Sequence, residues 1–392
     1  MIDLSPLPVV DVHCHPFLNK GSVTAEQFTD LTAFGGGSRK YMEEGGVAFT
    51  DEVRDELQRI KRDTLYFRRM VRDLSAYLGT EPSINAVLAK RNAAVEAGYT
   101  EYVRQLYADA GLTSVVMDFG VPLPMLDVDE VKSELPVEVV PIVRIEPLIA
   151  DLLKTDAGWA EFKRRYDDSI ADALTNQGYR GIKSIIAYRT GLDVSALSRA
   201  EDQGYKALDA IRRGLGGGSM KLLRDHLLCR AMELAMEHDV PMQIHTGMGD
   251  FEVNLVYCRP AYLMDLLRSP AFRACRVILV HGGFPYAREA AYMANVLPRV
   301  YCDVSEGIPF AGHAARNIFS EILDMAPVSK IVYGSDGYAL PEINFTSAKV
   351  GKQALGQALD SLAADGFVGE ADAMEIAGMI LAGTARQLYR IA

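Results

Sequence analysis

The chain has 392 residues, 49% of them hydrophobic, which suits one large α/β barrel carrying an insertion rather than a small domain. Its 52 acidic residues outnumber 41 basic ones, and the net charge of −11 argues against nucleic acid or an anionic membrane as partner and for a small-molecule substrate. No early apolar run resembles a signal peptide, no stretch approaches the roughly 20 apolar residues of a membrane span, and the scattered cysteines form no Cys-x-x-Cys pair, so a cytoplasmic protein without disulfides or a thiolate zinc site is expected.

Short β-rich runs recur with helical stretches between them, the pattern of parallel strands joined by crossover helices. The first run, 9–15, ends in His13 and His15. Side chains alternate faces along a strand, so these imidazoles point the same way and can share a metal ion; the alternative is one in the core and one at a loop. Roughly a hundred residues, about 16–111, then precede the next strand, far more than an ordinary loop. Within them 51–78 and 81–111 read as charged helices, so a helical cap over the strand ends is expected, with Gly35-Gly36-Gly37-Ser38 as its hinge or lid tip. Further strands are expected at 114–119, 137–145, 181–186, 241–245, 277–281, 300–304 and 330–334, and helices at 159–176, 221–238, 261–267, 286–296 and 315–325. Two more helices, 345–364 and 370–391, would close the barrel. The prediction is a (β/α)8 barrel in a single domain spanning 1–392. Gly214-Leu215-Gly216-Gly217-Gly218 does not match the spacing of a nucleotide-binding loop and reads as a connector before a helix.

His245 and His281 each end an apolar run shortly before a glycine, and the last strand runs into Asp336. In a closed parallel barrel all C-terminal strand ends meet at one face, where active sites lie. His226, His238 and His313 fall in helical or loop stretches and read as structural or solvated. Imidazoles with a carboxylate suit one Zn²⁺, with Mn²⁺ or Fe²⁺ as alternatives, and a position left to water would make the site catalytic. Glu146, near the end of the third strand, is a candidate for binding a cationic amine, and Arg189, past the fourth, for anchoring a carboxylate; surface ion pairs are the alternative for both. Glu306 and Asp250 are further candidates of that kind.

These motifs resemble the amidohydrolase superfamily, whose pattern matches His13, His15, Lys183, His245, His281 and Asp336 over nearly the whole chain. Within it, Gly181-Ile182-Lys183-Ser184, Gln243-Ile244-His245-Thr246-Gly247, His281-Gly282-Gly283-Phe284-Pro285 and Ser335-Asp336-Gly337-Tyr338 resemble the amidohydrolase domain of FluG- and nodulin-like proteins, which is fused there to a glutamine-synthetase-like domain. The resemblance implies a metal held by His13, His15, His245 and Asp336. Asp336 would take a proton from metal-bound water and pass it to the leaving amine, and His281 would hold the scissile carbonyl or stabilise the oxyanion. Lys183 would either bridge two metals as a carboxylated lysine or, as favoured here with one metal, bind a substrate carboxylate unmodified. The expected activity is hydrolysis of an amide C–N bond in a carboxylate-bearing substrate, a γ-glutamyl amide being the leading candidate, in a homo-oligomer. Decarboxylation or sugar-acid isomerisation on the same barrel, and a non-catalytic binding barrel, are the alternatives.

Overall fold

Parallel barrel strands are covered on both faces, and the strand sequences read accordingly: all six residues of β1 (Val9–Cys14) are buried. In a computed structural model, which describes residues 2–34 and 38–392, β1 is followed by β2 (Leu112–Asp118), β3 (Glu138–Arg144), β4 (Ile182–Ser184), β5 (Met242–His245), β6 (Val277–Val280), β7 (Val300–Asp303) and β8 (Ile331–Val332). They pair in that order, each parallel to the next. Between β8 and β1 the ring is closed by backbone bonds, Val12 N to Tyr333 O (3.0 Å), Asp336 N to His13 O (2.8 Å) and His15 N to Gly337 O (2.7 Å). The (β/α)8 barrel is therefore as expected, although β4 and β8 pair over shorter stretches than their apolar runs.

Val10, Val12, Val116, Val140, Ile142, Ile278 and Val332 form an inner cluster together with Ala385, Leu388 and Tyr389 from the C-terminal helix. Tyr389 Oη accepts from Gln243 Nε2 (2.7 Å), which also donates to Val12 O (2.6 Å). One end of the barrel is thereby filled by the end of the chain. The Gly214–Gly218 cluster links the helices Glu201–Arg212 and Ser219–Glu237, with Gly217 and Gly218 at φ 75° and 89°, backbone that favours glycine.

The helices of the insertion start where the sequence offers caps: Thr24, Thr50, Thr64 and Ser83 each accept a hydrogen bond from a backbone N–H in the first turn. Among the described residues, the beginning of the insertion lies at the cavity over the strand ends. Phe34 lines the cavity there, Ala33 O accepts from Tyr338 Oη (3.2 Å), and Lys40 pairs with Glu252 (3.2 Å). The helices Leu65–Leu78 and Tyr99–Ala110 pack instead against the long helix Pro341–Ala364, because their buried stripes, such as Phe67, Met70 and Leu74, need an apolar partner. The expected hinge Gly35-Gly36-Gly37 lies outside the described residues. Among the described residues no helix is long and apolar enough to cross a membrane.

A fully buried ion pair ties the insertion to that long helix. Arg91 Nε donates to Glu342 Oε1 (2.8 Å), Tyr102 Oη donates to the same oxygen (2.9 Å), and Arg91 Nη1 donates to Gly21 O (2.7 Å). Removing one partner strands a charge in low dielectric. Arg91→Met should cost about 3–5 kcal/mol, lowering the melting temperature by about 4–6 °C for a chain of this size. Thermal melts followed by circular dichroism check this: Arg91→Met combined with Glu342→Leu should lose less than Arg91→Met alone, and an unchanged melt of the single variant would contradict it.

Candidate metal centre and active site

Val12 belongs to the inner cluster and the next residue, His13, lines the cavity, which strict strand alternation would forbid. The β1–β2 register shifts between Asp11 and Cys14, and this irregularity re-aims the chain. His15 follows just past the end of β1, with its ring centroid 5.2 Å from that of His13. Its Nδ1 lies 3.3 Å from Asp118 O. A carbonyl can only accept, so Nδ1 carries a proton, and Nε2 is the nitrogen turned toward the cavity.

The segment after β8 is clamped onto β1 by Asp11. Asp11 Oδ1 accepts from Ser335 N (2.9 Å), and Oδ2 accepts from Asn344 Nδ2 (3.0 Å) and from the Ser335 hydroxyl. Gly337 sits so close to Asn344 that a Cβ would lie 2.4 Å from the side-chain oxygen. Asp336 is thus presented with its Oδ1 3.2 Å from His13 Nε2 and 3.4 Å from His15 Nε2. A tetrahedral ion with bonds of about 2.1 Å has ligand-to-ligand edges of about 3.4 Å. These donor atoms therefore fit a metal. Burial opposes ionisation of Asp336, but the contacts from His13 and His15 outweigh it and hold the carboxyl well below its usual range.

His245 ends β5 and His281 follows β6; their rings are 4.5 Å apart, and His281 Nε2 lies 3.0 Å from His245 Nδ1. His245 Nε2 is buried and has no hydrogen-bond partner among the described residues, as an atom awaiting a metal would be. Among the described residues, the donor atoms of His281, His13 and Asp336 all lie within 4.8 Å of one another. Burial pushes the imidazoles of His245 and His281 well below their ordinary pKa and that of His13 to about 4, keeping them neutral.

Lys183 on β4 is buried, with Nζ 3.1 Å from His13 Nε2, and burial pulls its pKa down to about 8. Arg144 at the end of β3 also lines the cavity but is committed to Asp118, through Nε at 2.8 Å and Nη2 at 2.5 Å. Arg189 lies at the exposed rim of the cavity, after the turn Ile186–Tyr188, and makes no ion pair among the described residues. Glu146 is not brought there. The strand stops at Arg144 and the chain turns into the helix Ile145–Leu153, so alternation no longer aims the side chain inward. Its Oε1 instead accepts from Ser184 Oγ (2.7 Å) and Ile185 N (2.8 Å), bracing the end of β4.

Glu306, in the loop after β7, is more deeply placed than its sequence suggests. It lines the cavity at 2% exposure, with Oε2 3.4 Å from His281 Nε2. Burial, reinforced by the Asp336 charge, pushes its carboxyl well above the usual range. Its signal was a polar residue before a glycine at a strand end, as in Asp336-Gly337 and His281-Gly282. All three residues have positive φ, at 57° (Glu306), 57° (Asp336) and 67° (His281), backbone that costs non-glycine residues about 1–3 kcal/mol and clusters at functional sites. The cavity measures about 480 Å³ and is also lined by Tyr188, Asp250, Glu252 and Tyr338. His226 is structural, its Nδ1 donating to Ser198 O (2.9 Å).

A parallel barrel with imidazoles and a carboxylate gathered at its C-terminal strand ends defines the class of metal-dependent hydrolases. Residues 149–391 match the Amidohydro_2 (amidohydrolase) family, and the protein belongs to that family. It is 29% identical over 255 residues to protein fluG of Emericella nidulans, an alignment covering 62% of this chain and 29% of that protein, so the chain spans under a third of the length of this curated relative. Among solved structures, a protein from Lactobacillus casei ATCC 334 assigned as a metal-dependent hydrolase superposes with a TM-score of 0.82 at 24% identity, over 100% of this chain and 98% of that one. The glucuronate isomerase of Caulobacter crescentus superposes with a TM-score of 0.71 at 15% identity, over 99% and 92%. Both show the shared fold.

The clamp makes a prediction. Asp11→Ala would release Ser335 and Asn344 and with them the aim of Asp336, so affinity for a divalent ion should fall about 10–100-fold. Competition against a chromophoric chelator measures it, and parental affinity would refute the clamp.

Proposed function

We propose that the protein hydrolyses a C–N amide bond of a small carboxylate-bearing substrate, a γ-glutamyl amide or a closely similar amide of an amino dicarboxylic acid. The observation that carries this reading is what lines the cavity: Asp336 Oδ1 lies within 3.4 Å of both His13 Nε2 and His15 Nε2, and Arg189, without an ion pair among the described residues, and Asp250 line the same cavity. Tyr188 Oη accepts from Asp250 N (2.9 Å), which fixes the Asp250 backbone beside the cavity; a carboxylate and a guanidinium lining one cavity are the groups that the ammonium and carboxylate of an amino-acid head require. Asp250 takes the part that the sequence suggested for Glu146.

A divalent ion, zinc with manganese or iron as alternatives, would supply Lewis-acid polarisation of the scissile carbonyl and acidify a water. His13, His15 and His245 would hold it together with Asp336. Asp336, ionised at neutral pH, would accept the proton of the attacking water and return it to the leaving amine. Lys183 would stay unmodified and, with Arg189, hold the substrate carboxylate.

Purified protein should contain about one ion per chain, matching the single cluster of donors, and His13→Ala with His15→Ala should abolish retention; undiminished metal in that variant would sink the centre. Lys183→Ala and Arg189→Ala should each lower kcat/KM by about 1.5–3 kcal/mol through KM while leaving metal bound, whereas Asp336→Asn should remove turnover. In a substrate panel, equal turnover of amides lacking the amino-acid head would remove the specificity. Carbon dioxide release, or isomerisation of a sugar acid, in place of amine release would replace the amide reading.

A further inference from the structure

Behind the cavity, His281 is attached to a chain of side chains that the proposed reaction does not use. Asp303, the last residue of β7, is buried, and its Oδ1 accepts from His281 N (2.9 Å), Ser305 N (2.6 Å) and Ser305 Oγ (2.5 Å). Two of these donors are backbone N–H groups, so Oδ1 is the carboxyl's accepting oxygen, and a proton, where the carboxyl holds one, belongs on Oδ2, which has no partner among the described residues. The Ser305 hydroxyl has one proton and spends it on Asp303. Its second contact, His281 Nδ1 at 2.9 Å, must therefore donate to it. A neutral imidazole with Nδ1–H has a lone pair on Nε2, and that atom lies 3.0 Å from His245 Nδ1. His245 must then carry its proton on Nδ1 as well, and its Nε2 lone pair is left buried, without a partner among the described residues, in a ring that lines the cavity.

We propose that Ser305 and Asp303 are positioning residues that, through His281, fix the tautomer of His245 and so leave its Nε2 free to bind the metal. Each hydrogen bond in the series has one possible direction once the first is set. In the metal-free protein the same series makes His281 Nε2 an acceptor rather than the donor an oxyanion would need, so His281 orients His245 instead of holding the carbonyl. Its consequence for the metal rests on the proposed centre; the tautomers do not.

The test is two-bond ¹⁵N–¹H correlation spectroscopy of metal-free protein labelled in its seven histidines, at a pH above about 7 where the imidazoles are neutral. Both His245 and His281 should show the Nδ1–H pattern, the less common form of a free imidazole. Ser305→Ala should shift His281 to Nε2–H, release His245 from its fixed form and weaken divalent-ion binding about 10–100-fold. Asp303→Asn, whose amide oxygen can still accept the three bonds, should keep both patterns. An Nε2–H pattern at His281 in the parent, or unchanged tautomers in a folded Ser305→Ala protein, would overturn the proposal; if Ser305→Ala does not fold, the parent spectrum decides alone. The predicted tautomers in a protein that binds no metal would defeat the metal centre and leave the relay standing, whereas metal binding with the wrong tautomers would do the reverse.

Discussion

One carboxylate inside the first strand holds the last strand in place. β8 pairs with β7 over only two residues, and a few backbone bonds from the segment around it close the ring onto β1. Asp11 reinforces that closure by accepting bonds from Ser335 and Asn344, and burial raises its pKa to about 6 because those bonds only partly replace its hydration. It lies two residues before His13, and its partner Ser335 immediately precedes Asp336. Closing the barrel and assembling the metal donors are thus one structural event. The same device recurs on β7, where Asp303 gathers the backbone of His281 and Ser305. In both places a buried carboxylate satisfies backbone N–H groups that no ladder reaches, which an apolar side chain could not do.

The electrostatics of the cavity floor follow from that burial. Imidazoles with lowered pKa values are neutral at physiological pH, so a cation meets lone pairs without first displacing protons. Asp336 goes the other way and remains ionised, because its neighbours reward the charge more than desolvation penalises it. Arg144 and Asp118 neutralise each other and leave Lys183 and Arg189 as the cations available on that side of the cavity. Rigidity accompanies this arrangement. The positive φ values of His281, Glu306 and Asp336 persist because the clamps around them over-determine the backbone.

Much of the site was legible before any tertiary structure. Apolar runs ending in His13-Cys14-His15, in His245, in His281 and in the stretch before Asp336 carry their own geometry, since a parallel barrel brings all C-terminal strand ends to one face. Local pattern was enough there because each residue's position depends only on its own strand and on closure. The insertion was legible as helices, from its Ser and Thr caps, but not in its placement, because the partner of those helices is a segment more than two hundred residues away along the chain, Pro341–Ala364.

What the sequence by itself determined is the barrel and the set of residues delivered to its open end. Tertiary structure decided the rest: that Glu146 leaves the cavity, because the strand stops one residue before Ile145; that Glu306 enters it, because a loop takes a positive φ; and that Asp303 and Ser305 direct the protons of His281 and His245. Those outcomes turn on strand ends, backbone handedness and hydrogen-bond direction. Each is settled by contacts between segments far apart in the chain, and hydrophobic periodicity carries no information about them.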